Sequence, residues 1–164
     1  MADYRLLKPF ILKWEGGFGN DKDDLGGATY KGVTIGTFRA VFGKDKTVAD
    51  LKRMTEAQWD TVFKKYFWDR WKADEIRSQR VANILVDWLW TSGAYGIRIP
   101  QSVLGVSADG IVGSRTIAAV NGQDAGKFAD RLIKERLAYI DRICKSRPQN
   151  KKFKKGWINR INGL

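Results

Sequence analysis

The chain has 164 residues, 43% of them hydrophobic, with 7 Trp, 8 Phe and 5 Tyr, enough to bury a sizeable core. It carries 30 Lys and Arg against 18 Asp and Glu, for a net charge of +12, but no histidine and one cysteine, Cys144. That inventory excludes Ser-His-Asp and Cys-His triads, imidazole metal ligands, Cys-rich zinc sites and intrachain disulfides. Acid–base chemistry then falls to Asp, Glu, Lys or Tyr.

In chain order, Leu6, Leu7, Phe10, Ile11 and Trp14 keep helical spacing and predict a first helix ending at Gly16-Gly17. Pro9 is awkward there unless it falls in the first turn or kinks the helix. Residues 16–36 hold 7 of the 17 glycines, which predicts turn-rich chain with a small β-hairpin around Tyr30–Ile35. Thr55 and Gln58 form a capping-box pattern ahead of Trp59, Val62, Phe63, Tyr66 and Phe67 on one helical face. Behind a Ser78 cap, Val81, Ile84, Leu85, Trp88 and Leu89 belong to a helix apolar nearly all round, the central buried one. Asn83 and Asp87 on its remaining side need polar partners or a wet cleft.

Asp109-Gly110 reads as a turn and Ser114 as the cap of a short helix. A long helix follows from about Asp124 to Lys145, with Phe128, Leu132, Ile133, Leu137, Ile140 and Ile143 inward. From Arg142 onward there are eight basic residues and no acid, leaving 22 basic and 18 acidic groups in the first 141 residues, a net of +4. Phe153, Trp157 and Ile161 recur there at helical spacing, so the segment is either a solvated face whose aromatics dock on the domain or a surface for polyanions. The fold class is mainly α, with one small glycine-rich β-hairpin lobe.

Glu15 follows Trp14 and precedes two glycines at the C-terminal end of the first helix. The helix macrodipole and an indole neighbour both disfavour an anion there, which suits a carboxyl group that must deliver a proton. The stretch from Asn20 to Gly36 adds Asp21, Asp23, Asp24 and the hydroxyls of Thr29 and Thr34. An acid, an opposing carboxylate and a held water are the components of glycoside hydrolysis. An EF-hand calcium loop is disfavoured, because Asp21-x-Asp23 lacks the required Gly and closing Glu.

Trp14-Glu15-Gly16-Gly17-Phe18, Asn20-Asp21, Asp24, Gly26-Gly27-x-Thr29 and Gly32-Val33-Thr34 together resemble the N-terminal signature of glycoside hydrolase family 108. These are lysozyme-like muramidases often carried by phages and prophages. The family's prolines in the Asp-rich loop are absent here, and Tyr30 stands where an Asn is usual. Asp87-Trp88-Leu89-Trp90-Thr91-Ser92-Gly93, Ile99-Pro100-Gln101, Leu104-Gly105-Val106, Asp109-Gly110-Ile111-Val112-Gly113 and Thr116 resemble the predicted peptidoglycan-binding module paired with it. Phe153-x-x-Gly156-Trp157-Ile158-Asn159-Arg160 is similar to the family's C-terminus.

The resemblance implies a lysozyme-like catalytic region at 1–93. It also implies a helical peptidoglycan-binding-like region at 94–164, ending in the basic tail and packed with the first as one unit. It implies hydrolysis of the β-1,4 bond between N-acetylmuramic acid and N-acetylglucosamine. Glu15 is then the general acid, with Asp24 or Asp21 as the second carboxylate and Thr34 ahead of Ile35-Gly36 as a polar contact. Thr29, Tyr30, Asp87, Ser92 and Tyr95 are the substrate-binding candidates.

Neither metal nor cofactor is expected, and the partner is bacterial peptidoglycan, with anionic wall polymers or an outer-membrane surface for the tail. A monomer is expected, and nucleic acid is not, because the acid-rich Glu15–Asp24 lobe would repel phosphates. Lys8, Pro9 and Lys13 interrupt any signal-peptide core. The expectation is synthesis in the cytoplasm and action on the wall after holin-type or other non-classical export. The rival readings are a lytic transglycosylase, a non-catalytic wall-binding protein and a nucleic-acid-binding protein.

Overall fold

A computed structural model describes residues 1–20 and 27–164. Two compact units emerge: residues 5–66, and residues 1–4 together with 67–164. Among the described residues the chain is mainly α-helical, with a small three-stranded antiparallel sheet in the first unit.

In that unit, α1 (Tyr4–Trp14) buries Leu7 and Ile11, one turn apart. Pro9 sits inside the helix with its ring on the exposed side, so the apolar face continues past the missing N–H. The expected hairpin is present as β2 (Thr29–Tyr30) and β3 (Val33–Thr34). Lys31 and Gly32 join them at φ +48° and +80°, a two-residue turn whose twist matches antiparallel strands. A further strand, β1 (Phe18–Gly19), pairs with β2. Two residues, one of them a glycine, are too few to show a strand period.

Helices α2 (Ile35–Phe42), α3 (Val48–Lys52) and α4 (Glu56–Phe63) complete the unit. The Thr55–Gln58 capping box forms as predicted. Thr55 N–H donates to Gln58 Oε1 at 3.0 Å and Gln58 N–H donates to Thr55 Oγ1 at 3.1 Å. Trp59, Val62 and Phe63 are buried on α4, with Trp59 and Phe63 stacked at 5.0 Å. Tyr66 and Phe67 do not extend that face. Residues Lys64–Trp68 form a wider π-helical turn, and the extra residue in it brings Trp68 to the inside instead. Lys8 ties α1 to α4 through Asp60 at 2.6 Å and Glu56 at 2.9 Å.

The second unit is built around α5 (Gln79–Ser92), which buries eight side chains, among them Val81, Ile84, Leu85, Trp88 and Leu89. Ser78 caps it, accepting from Val81 N–H at 3.2 Å. The N-terminal residues are fastened to its start: Asp3 N–H donates to Gln79 Oε1 at 2.8 Å, and Gln79 Nε2 donates to Asp3 O at 3.1 Å. α6 (Tyr95–Leu104) crosses α5 so closely that a Cβ on Gly96 would lie 2.4 Å from Leu89 N and 2.5 Å from Trp88 C. Only glycine allows that approach.

α7 (Ser114–Asn121) starts at Ser114, with Gly113 at the cap position and no side-chain cap. The expected Ser114 cap is thus one residue too late. α8 (Ala125–Ser146) is capped by Asp124, which accepts from Lys127 N–H at 2.9 Å. α9 (Lys154–Asn162) closes the chain with Ile161 buried and Phe153 stacked on Trp157 at 5.6 Å. Among the described residues, no helix is long and apolar enough to cross a membrane.

Candidate active site and glycan contacts

The candidate active site grows from the end of α1. Glu15 donates its N–H to Ile11 O at 3.2 Å, so it completes the last turn, and its side chain is half-buried. The preceding indole is packed at 6.4 Å from Phe10, with Lys13 Nζ 5.5 Å from its ring. Gly16 and Gly17 are exposed, neither has a positive φ, and a Cβ on either would meet no atom within 4 Å. Among the described residues, then, neither backbone strain nor crowding requires glycine there. What the two glycines provide is open space directly after the carboxylate.

The sheet organises the hydroxyls. Thr29 pairs with Gly19 on one side and Thr34 on the other, so all three share one face. Phe18, Tyr30 and Val33 form the opposite face, where Val33 is buried and Lys52 Nζ lies 4.2 Å from the Phe18 ring. The bare Gly19 lets Thr29 lean across it: a Cβ there would stand 3.3 Å from Thr29 Oγ1.

Thr34 also caps α2, accepting from Thr37 N–H at 3.1 Å and donating its own proton to Thr37 Oγ1 at 3.0 Å. This fixes the rotamer of Thr34 and leaves one lone pair of its oxygen for a further partner. The turn behind the pair is locked, because Trp59 Nε1 donates to Lys31 O at 3.0 Å. Glu15 is four residues from Gly19, which holds the two Cα atoms within about 14 Å even if the link is fully extended. Glu15, Thr29, Tyr30 and Thr34 thus belong to one unit. Asp21 and Asp24 lie outside the described residues, as does Asp23.

Asp87, Ser92 and Tyr95 belong to the helical unit. Asp87 is fully buried. Arg160 Nη2 contacts its Oδ1 at 2.7 Å, and Arg136 Nη1 contacts its Oδ2 at 2.8 Å. A carboxylate enclosed by two buried guanidiniums joins α5, α8 and α9 as a structural anion. Burial pushes the Arg136 guanidinium below its ordinary range, while Asp87 pulls it back up. Of the two settings open to Asp87, polar partners or a wet cleft, it has the first, and the partners are arginines. Arg136 sits at i+4 from Leu132 and i−4 from Ile140, a spacing that placed it on the inward face of α8 all along. Arg160 was counted in the basic tail and is in fact buried.

Ser92 and Tyr95 do come together, around Tyr139. Ser92 hydrogen-bonds Tyr139, and the rings of Tyr95 and Tyr139 lie 5.9 Å apart. Burial pushes the Tyr139 hydroxyl above its ordinary range, with the Ser92 hydrogen bond acting against it. The Asp109-Gly110 turn is held from within by Gln101. Its Nε2 donates to Asp109 Oδ1 at 3.1 Å and to Ile111 O at 2.9 Å, and its Oε1 accepts from Gly110 N–H at 2.9 Å.

Comparisons with known proteins place the chain by family and fold. The sequence model described as Glycosyl hydrolase 108 matches residues 8–93, more than half of the chain. One described as Predicted Peptidoglycan domain matches residues 95–162. No curated protein matches the sequence. Among solved structures, one titled "Structure of Brucella abortus SagA" is similar at 29% identity and a TM-score of 0.86, over 97% of this chain and 89% of that one. A glycosyl hydrolase model followed in sequence by a predicted peptidoglycan domain marks a peptidoglycan hydrolase, and the chain belongs to the glycosyl hydrolase 108 family.

Proposed function

We propose that the protein is an N-acetylmuramidase, with Glu15 as the acid that protonates the glycosidic oxygen between N-acetylmuramic acid and N-acetylglucosamine. The observation that carries this reading is the setting of Glu15: a half-buried carboxyl at a helix end, followed by two glycines that open the space beside it. The second carboxylate is Asp24 or Asp21, and the Thr29 and Thr34 hydroxyls hold the attacking water or an adjoining sugar hydroxyl. Tyr30, Ser92 and Tyr95 contact the glycan. The division of labour is a catalytic region at 1–93 and a wall-binding region at 94–164.

The basic C-terminal segment supports a second contact, with anionic wall polymers. Lys151, Lys152 and Lys155 are exposed, although Arg160 is engaged inside and Lys154 pairs with Asp141 at 2.8 Å.

Clearing of a cell-wall suspension tests the catalytic assignment. Glu15→Gln should reduce the rate by about 10²–10⁴-fold, the usual contribution of a general acid, with the circular dichroism spectrum unchanged. Clearing by Glu15→Gln at the wild-type rate would overturn the role of Glu15. Mass spectrometry of the released fragments should find reducing muramic ends. Anhydro ends would instead identify a lytic transglycosylase.

A further inference from the structure

The helical unit carries an aromatic and cationic patch around Tyr95 and Tyr139. Tyr95, in the first turn of α6, is one of the few large hydrophobic residues left exposed, at 58% of its surface. Its ring lies 5.9 Å from that of Tyr139 on α8, and Tyr139 in turn lies 6.0 Å from Trp88 on α5. Tyr139 is only 9% exposed and hydrogen-bonded to Ser92, so the base on which Tyr95 rests is fixed. Ser92 Oγ stands 3.4 Å from Thr91 Oγ1, which accepts from Arg136 Nη2 at 3.0 Å. One exposed aromatic ring is thereby seated on a buried, hydrogen-bonded frame drawn from three helices.

A cation borders the same frame, at Tyr139. Arg142 lies one turn beyond Tyr139 on α8, exposed, with its guanidinium carbon 5.9 Å from the Tyr139 ring. The adjacent carboxylate, Asp141, is engaged by Lys154 and does not neutralise it. A tyrosine face offers stacking to the apolar side of a pyranose ring, and a guanidinium offers a fork to a carboxylate. The peptidoglycan repeat presents both chemistries on one residue: a pyranose bearing a lactyl ether that leads into an acidic peptide stem. A neutral chitin-type glycan presents only the first.

We propose that Tyr95, Tyr139 and Arg142 form a subsite for the peptide-bearing muramyl residue, in which Tyr95 stacks on the sugar and Arg142 binds a carboxylate of its peptide stem. The proposal rests on the peptidoglycan reading above. It adds a selectivity to that reading: the helical unit distinguishes anionic, peptide-bearing glycan from neutral glycan.

Binding by the full-length chain tests it, with no readout of catalysis. The probes are the disaccharide N-acetylglucosaminyl-N-acetylmuramyl-tetrapeptide, which contains no muramidase-cleavable bond, and neutral chitotetraose. Titration is followed by nuclear magnetic resonance, with thermal melting as the check on folding. Wild type should bind the muropeptide more tightly than chitotetraose. Tyr95→Ala should weaken both by about tenfold, and Tyr95→Phe should retain both. Arg142→Gln should weaken the muropeptide alone, by about fivefold, with Arg142→Lys restoring part of the loss.

If wild type binds the muropeptide and neither Tyr95→Ala nor Arg142→Gln weakens it, the subsite is wrong and the peptidoglycan reading stands. If Arg142→Gln weakens both probes equally, the assigned charge recognition is wrong. If wild type binds neither the muropeptide nor intact sacculi, both readings fall together.

Discussion

Each unit places a carboxylate beside a tryptophan, and the two carboxylates have opposite fates. Glu15 follows Trp14 at the end of a helix, half-buried, with two unconstrained glycines opening the space beyond it. Asp87 precedes Trp88 in the middle of α5, fully buried, with both oxygens engaged by arginines from α8 and α9. The first unit leaves its polar groups at the ends of short elements: two-residue strands, a left-handed turn and a helix cap. The second encloses its polar groups in long helices. Chemistry needs a carboxyl group that a substrate can reach, whereas a buried anion serves only to hold its neighbours. A local tryptophan–carboxylate pattern therefore says little until the surrounding chain is known.

The sharpest way to break this comparison is to remove each carboxylate in turn. Glu15→Gln should abolish clearing and leave the melting temperature unaltered. Asp87→Ala should do the reverse, because it leaves two guanidiniums buried without their anion, at a cost of about 3–5 kcal/mol. Thermal unfolding measures that loss. Exchanging the whole trio, Asp87→Leu with Arg136→Met and Arg160→Met, should recover most of it, since the penalty comes from unpaired charge rather than missing volume. An Asp87→Ala protein that melts like wild type but no longer lyses walls would restore Asp87 to the substrate site.

Next in size is Gly96→Ala. The added methyl would meet backbone atoms of Leu89 and Trp88 at 2.4 and 2.5 Å, and backbone cannot rotate aside, so α6 must move off α5. Chemical denaturation should register a loss of about 1–3 kcal/mol or more. Gly16→Ala meets no described atom, so it should leave stability unchanged, and any fall in clearing rate would report crowding of the substrate instead.

A smaller effect is expected at Thr34. Thr34→Ala removes the α2 cap, worth about 1 kcal/mol in thermal unfolding. Thr34→Asn keeps a capping acceptor. If the asparagine variant regains stability but not lysis, the hydroxyl acts in the reaction as well as in the cap.

The smallest effect is acid sensitivity, and it is spread over both units. The Thr47 amide holds the Asp50 carboxyl below its ordinary range in the first unit. In the second, the Ile111 amide does so for Asp109 and the Lys154 ammonium for Asp141. A carboxyl group with a depressed folded-state pKa contributes stability that is present above the unfolded value, about pH 4, and is lost as pH falls through the folded value. Melting temperatures followed downward from neutral pH should therefore stay level and then fall below about pH 4. All three groups are exposed, so Asp50→Asn, Asp109→Asn and Asp141→Asn should each remove only a small part of that slope.

Much of the architecture was legible because it is written locally. The Thr55–Gln58 box, the Ser78 cap, the apolar α5, the long helix from about Asp124 and the hairpin around Tyr30–Ile35 each depend on residues within a few positions of one another. The Glu15-Gly16-Gly17 motif was legible for the same reason. What escaped was β1, whose two residues gain their identity only by pairing with Thr29 and Tyr30, and the π-helical turn that brings Trp68 inside in place of Tyr66 and Phe67.

By itself the sequence determined the mainly helical class, the glycine-rich lobe and the restriction of acid–base chemistry to Asp, Glu, Lys and Tyr. Spacing, caps and residue inventory carry that information without reference to the rest of the chain. Only the tertiary structure decided which charges stay with the solvent and which go inside. Arg160 and Lys151 are alike in a basic tail until α9 packs: one then meets a buried carboxylate 73 positions away, and the other stays exposed. The free energy of a charge depends on what surrounds it, and that is set by neighbours in space rather than in sequence.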